Sequence, residues 1–185
     1  YLDKQLAEVT TWDPLQRPGW TLRPDSVEPL KARGDGVWLA TGNTITALVL
    51  MLDILPPASL KPELKAKLDA QLKREMERTL KDWQDQRPWY VKQEKVESNQ
   101  WVVPASGMLL AALTLDKNQY PEAYAVAKQS LKRTLDNLGD EGASSEGIGY
   151  AIEWTIPALQ LSAYFMDKYG DRDFSGHPFL TNFPT

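Results

Sequence analysis

The stretch LKPELKAKLDAQLKREMERTL, residues 60–80, decides the fold class. Leu60, Leu64, Leu68, Leu72, Met76 and Leu80 recur every four residues, with Lys, Glu, Asp and Arg filling the positions between them. A helix turns once in about 3.6 residues, so this spacing lays the apolar side chains in one stripe facing a core and leaves the charges in water. Ser59 stands just ahead and is expected to cap the helix. The Leu and Met stripe is packing and is given no other role.

On the N-terminal side, Thr41 to Leu55 is apolar around most of its circumference, which predicts a buried helix ended by Pro56-Pro57. Residues 13–36 are broken by Pro14, Pro18, Gly19, Pro24, Pro29, Gly34 and Gly36, a Pro/Gly-rich loop. Before it, Leu2, Leu6 and Val9 predict a short helix. On the C-terminal side, apolar periodicity returns from Val102 to Leu115, with Pro104 placed in a first turn, and from Gln119 to Leu138, with Pro121 in the first turn and Gly139 as the stop. No strand alternation and no fixed-period repeat occurs. The expected architecture is all-α: a single domain over 1–185 built of stacked antiparallel helical hairpins.

Composition removes several classes of function. With 42% hydrophobic residues in 185, the chain has material for a sizeable core. A net charge of −4 and the lack of any Lys/Arg-rich arm argue against nucleic acid as a partner. There is no cysteine and one histidine, His177, so neither a metal site nor a metal cofactor is expected. The run Ile45 to Leu52 is interrupted by Thr46 and closed by Asp53, shorter than the roughly 18 residues a membrane span needs.

The least ordinary stretch is Gly139-Asp140-Glu141-Gly142-Ala143-Ser144-Ser145-Glu146-Gly147-Ile148-Gly149-Tyr150, running into Ala151-Ile152-Glu153-Trp154. It reads as a loop delivering a helix from about Glu146 to Tyr169, capped by Ser144 or Ser145, stopped at Gly170 and kinked by Pro157. Gly147 and Gly149 fall just inside that helix at a cost of roughly 1 kcal/mol each, which calls for close approach of a ligand or a neighbouring helix. Glu146, Tyr150 and Trp154 at i, i+4 and i+8 would share one face and form a wall of a saccharide groove. The same aromatics fit equally well as core.

Ser98-Asn99-Gln100-Trp101 leading into Gly107-Met108-Leu109-Leu110-Ala111-Ala112-Leu113, then Glu146-Gly147-Ile148-Gly149-Tyr150, with Asp35-Gly36-Val37-Trp38 ahead of the first buried helix, resembles the helical domain of heparinase II/III-like and alginate-lyase-like polysaccharide lyases. The resemblance covers most of residues 35–180 and rests on about ten of them. It implies an incomplete (α/α) toroid continuing into a β-sandwich domain, a bacterial periplasmic or extracellular location, an acidic, uronate-containing polysaccharide as partner, and no cofactor. It also implies that Tyr150 is the general base or acid and that Asn99 contacts the uronate carboxylate. Many relatives carry a histidine beside that asparagine, whereas this chain has Gln100.

β-Elimination draws a proton from the carbon next to a carboxylate, so charge builds on that group and needs donors. Asn99 and Gln100 supply them, a positioned tyrosine shuttles the proton, and Trp101 and Trp154 offer flat faces to sugar rings. Two plainer roles stand beside these: Asn99 as a helix cap and Glu146 as a first-turn acid complementing the helix dipole. The alternative function is a non-catalytic helical scaffold binding a glycan or a protein. A glycoside hydrolase would need opposed carboxylates, with Glu146 and Glu141 as the candidates. Phe174, Phe179, Leu180 and Phe183 trail past the last helix, and the expectation is a piece of a longer protein with an apolar flank there, inert alone. His177, between Gly176 and Pro178, reads as a surface residue of a turn.

Overall fold

The computed structural model describes residues 2–12, 15, 39–56, 59–139 and 147–182. It is all-helical, with no strand among the described residues. The helices are α1 (Leu2–Val9), α2 (Leu39–Ile54), α3 (Pro62–Gln84), α4 (Trp89–Lys92), α5 (Asn99–Leu115) and α6 (Pro121–Leu138), followed by α7 (Ile148–Tyr150), a π turn (Ala151–Thr155), α8 (Ile156–Lys168) and α9 (Pro178–Asn182). The 13–36 loop and the Asp35–Trp38 segment lie outside the described residues, Leu15 excepted.

α5 is the centre. Its sequence is apolar all round, and every residue from Trp101 to Leu113 is buried, with α2, α3, α6 and α8 packed about it. Pro104 lies inside this helix rather than in its first turn, because the helix starts three residues earlier than the apolar periodicity does. The stripe of α3 packs as its spacing predicts: Leu64, Leu68, Leu72 and Met76 are buried, with Leu60 and Leu80 part-buried at the ends. Its cap differs. Lys61 is the N-cap and Pro62 opens the helix, while the Ser59 hydroxyl donates back to the Pro56 carbonyl at 2.6 Å. A proline at the first position has no N–H to satisfy, so a side-chain cap is less needed.

The closest crossing is between α2 and α5. A Cβ on Gly42 would stand 2.6 Å from the Val103 carbonyl oxygen, and one on Gly107 would stand 3.0 Å from the Gly42 Cα. Close approach is thus met at Gly42 and Gly107. At Gly147 and Gly149 a Cβ would meet nothing within 4 Å, and Gly147 is instead required by its φ of 84°.

The directions of the helices follow from side-chain contacts. Gly42 sits beside Val103–Pro104, and Asp53 pairs with Lys168 eleven residues further along α2. The Ser106 hydroxyl meets Ser162 Oγ at 2.9 Å and the Ala158 carbonyl at 3.1 Å, and Lys117 Nζ donates to the Tyr169 carbonyl at 2.9 Å. α2, α5 and α8 therefore run the same way. α6 runs against them: Tyr124 and Lys128, early in it, bond Asp171 beyond the end of α8, whereas Ser130 and Thr134 bond Trp101 and Val96 at the start of α5. α3 lies alongside α6, with Lys73 over the Tyr120 ring and Trp83 Nε1 donating to Ser130 Oγ at 2.9 Å.

The C-terminal segment corrects one expectation. Phe174 and Phe179 are fully in the core and Leu180 is part-buried against it; Phe183 lies outside the described residues. After α8 the chain turns back along α6, from Asp171 at its start to His177, whose Nε2 stands 3.6 Å from Asp136 Oδ1 near its end. His177 Nδ1 accepts the Phe179 N–H at 3.2 Å, so the one histidine stands at the start of α9 with its ring toward α6. Among the described residues the large apolar side chains left exposed are elsewhere: Ile54, Trp89, Ile148, Tyr150, Ile152, Tyr164 and Tyr169.

Candidate functional site

Because α2, α5 and α8 are parallel, Asn99 in the first turn of α5 and Tyr150 in α7, which feeds α8 through the π turn, come to one end of the bundle. α5 also packs on the π turn itself. Three helix N-termini gather there. α2 and α5 carry no acid in their first turns, the π turn that continues α7 carries Glu153, and α1, α3 and α6 carry Asp3, Glu63 and Glu122. At α2 and α5 the partial positive charge of aligned backbone N–H groups is left uncancelled by the first turn, an arrangement that favours an anion.

α5 opens on Ser98, whose Oγ accepts the Gln100 N–H at 3.2 Å. That makes Ser98 the cap in place of Asn99, which is the first helical residue and is 8% exposed. Gln100 is part-buried, and its Oε1 is fully buried without a hydrogen-bond partner.

Trp101 is not an open platform. It is 3% exposed, its Nε1 donates to the Ser130 carbonyl at 3.1 Å, its ring is tilted against Trp83, and the Arg133 guanidinium covers it 5.4 Å from the ring centroid. An indole with its N–H bonded inside and a face against a second indole gains more as core than as a surface for a ligand.

The helix predicted from Glu146 to Tyr169 is interrupted. Glu146 and both candidate caps, Ser144 and Ser145, lie outside the described residues, as does Glu141. From Ile148 the chain is α-helical for three residues, widens through Ala151–Thr155 with the Ile156 N–H donating to the Ala151 carbonyl, and continues as α8. Pro157 accounts for it: it has no N–H for the Glu153 carbonyl and its ring would strike that carbonyl, so the turn before it expands. The wide turn breaks the i, i+4 register. Tyr150 is 58% exposed, while Trp154 is part-buried and packs against the core, so the two do not form one wall.

The residue the sequence reading missed is Thr155. Its hydroxyl is fully buried and has no partner. Thr44, Thr46, Thr79 and Thr114 all donate to the carbonyl four residues back at 2.8–2.9 Å. At Thr155 the hydroxyl makes no such bond to the Ala151 carbonyl, which accepts the Ile156 N–H across the π turn. A buried polar atom without a partner costs on the order of 1–3 kcal/mol. Pro157, two positions on, was the available signal.

No group of three or more His, Asp or Glu able to hold a metal occurs among the described residues, and no described helix is long and apolar enough to cross a membrane. Comparison of the chain with protein-family models, curated proteins and solved structures gave no match.

Proposed function

We propose that this chain is the helical part of a polysaccharide lyase that acts by β-elimination on a uronate-containing glycan. One observation carries the reading: three parallel helices begin at one end and gather there the Asn99 amide, the exposed phenol of Tyr150 and a π turn with an unpartnered buried hydroxyl. Parallel α2, α5 and α8 alternating with the opposed α3 and α6 supports an (α/α) toroid, in which one set would line the inside and the other the outside. In this reading the uronate carboxylate lies against the uncancelled helix N-termini, with Asn99 and Gln100 as amide donors. Tyr150 is the base that takes the C5 proton; the C5–H electron pair becomes the C4–C5 double bond; the C4–O bond breaks, and the leaving oxygen receives the proton back from Tyr150. A glycan of this kind places the protein in the periplasm or outside the cell.

The burial of Asn99 and Trp101 favours a second reading, a helical scaffold that binds a glycan or a protein without chemistry. Elimination creates an ultraviolet-absorbing unsaturated uronate, so the two separate in a screen of the intact polypeptide carrying this chain over alginate, heparan sulfate, chondroitin and hyaluronan. Absorbance growth with one of them is expected. Binding without it on all four would leave the scaffold.

A further inference from the structure

α8 turns one side to α5, where Ser162 and the Ala158 carbonyl meet Ser106. On the opposite side Glu153, Pro157, Gln160, Leu161, Tyr164 and Lys168 form a single stripe, for at about 100° per residue all six fall within about 50° of one direction. Glu153, Gln160, Tyr164 and Lys168 are exposed, and Pro157 and Leu161 are part-buried. The stripe has an apolar middle, an acid at one end and a base at the other. Tyr164 is 57% exposed, its ring standing edge-on to Phe165 with centroids 5.5 Å apart. The sequence has no Lys or Arg between Arg133 and Lys168, whereas α3 and α6 cover their outer faces with both signs of charge. Glu153 accordingly forms no ion pair among the described residues. Lys168 pairs with Asp53, and an ammonium with three N–H donors can serve a second carboxylate as well. Asp167, at the edge of the stripe, is occupied by Arg172 and Ser175 of its own chain.

We infer that this stripe is the contact between two copies of the chain, paired about a two-fold axis with their α8 helices antiparallel. A two-fold interface needs a patch that complements itself, and this one does so under reversal. Glu153 of each copy meets Lys168 of the other, Pro157 meets the Tyr164 ring, and Gln160 and Leu161 meet at the axis. Both ends of the contact are then opposite-charge pairs flanking an apolar centre, the usual anatomy of an interface. Parallel pairing would instead set Glu153 against Glu153 and Lys168 against Lys168. A stripe about 20 Å long is small beside the roughly 1,600 Å² of stable complexes, so the dimer is reversible. The antiparallel arrangement sends the two Tyr150 ends in opposite directions. The inference does not depend on the lyase reading, since pairing requires no turnover.

The test is sedimentation equilibrium of the intact polypeptide carrying this chain, at low salt and at concentrations up to about 500 µM. A monomer–dimer equilibrium with a Kd of about 100 µM or tighter is expected. Tyr164→Ser, Glu153→Lys and Lys168→Glu should each weaken it roughly tenfold or more; all three positions are exposed, so circular dichroism of the variants should match the parent. An equal mixture of the Glu153→Lys and Lys168→Glu proteins should pair more tightly than either alone, because a mixed dimer has opposite charges at both ends. Tyr150→Phe is expected to pair as the parent does, whatever its effect on elimination. A parent that stays monomeric throughout, a dimer undiminished by Tyr164→Ser, or a mixture that pairs no better than its two components would each overturn the inference.

Discussion

Gly42→Ala tests whether the α2–α5 crossing sets the geometry of the bundle. The added Cβ would lie 2.6 Å from the Val103 carbonyl oxygen, 2.7 Å from its carbon and 2.8 Å from the Pro104 nitrogen. All three are backbone atoms of the most buried helix, so no side chain can rotate away and α2 must move outward by most of an ångström to reach ordinary contact. Overpacking of this kind costs about 1–3 kcal/mol, and this site belongs at the upper end. Alanine regains about 1 kcal/mol of helix propensity. The net expectation is a loss of about 1–2 kcal/mol, or a fall in Tm of several degrees for a domain of this size. Gly149→Ala is the internal control: the same chemical change where a Cβ meets nothing within 4 Å and φ is not positive, so stability should hold or rise by up to about 1 kcal/mol. Urea unfolding of the two variants beside the parent, read by circular dichroism, gives the comparison. A Gly42→Ala protein as stable as the Gly149→Ala protein would refute the reasoning.

Four further outcomes are expected. Ser130→Ala removes the acceptor of the buried Trp83 N–H while leaving the backbone carbonyl that Trp101 uses, and should cost about 1–3 kcal/mol in urea unfolding; an unchanged midpoint would contradict it. Thr155→Val replaces an unpartnered buried hydroxyl with a methyl of the same shape, so stability should rise by on the order of 1 kcal/mol; if the π turn belongs to the proposed site, turnover falls at the same time. Burial pushes the Asp171 carboxyl up, but hydrogen bonds from Lys128, Tyr124 and the Asp173 N–H outweigh it and hold the carboxyl below its usual value. Its stabilisation is therefore complete above about pH 4, where the unfolded chain also ionises, and is lost as acid protonates the folded form; Asp171→Asn should be less stable at neutral pH and show a flatter acid limb in pH-dependent unfolding. Tyr150→Phe should lower elimination by about 10²-fold or more with glycan affinity nearly intact, since the exposed ring contributes little packing; retained turnover would remove Tyr150 as the proton carrier.

Periodicity alone determined the helical character of this chain and the core stripe of α3, because an apolar residue every fourth position has one physical outcome wherever a core exists. The ends of α6, with Pro121 inside the start and Gly139 past the finish, were legible for the same local reason. What only the tertiary structure decided depended on a second element. Gly42 and Gly107 look no different from Gly149 in sequence, yet the first two stand against a neighbouring backbone and the third faces open space. Phe174 and Phe179 looked like surplus apolar residues until the chain was seen to turn back along α6 and bury them. Trp101, expected at a sugar, became core because Ser130 and Arg133 arrive from α6, some thirty residues further on. At the candidate site the sequence supplied residue types and the fold supplied direction. Parallel α2, α5 and α8 bring Asn99 and Tyr150 to one end across 51 positions, and Pro157 works through a widened turn, which turns Tyr150 to solvent, packs Trp154 against the core and leaves the Thr155 hydroxyl buried without a partner.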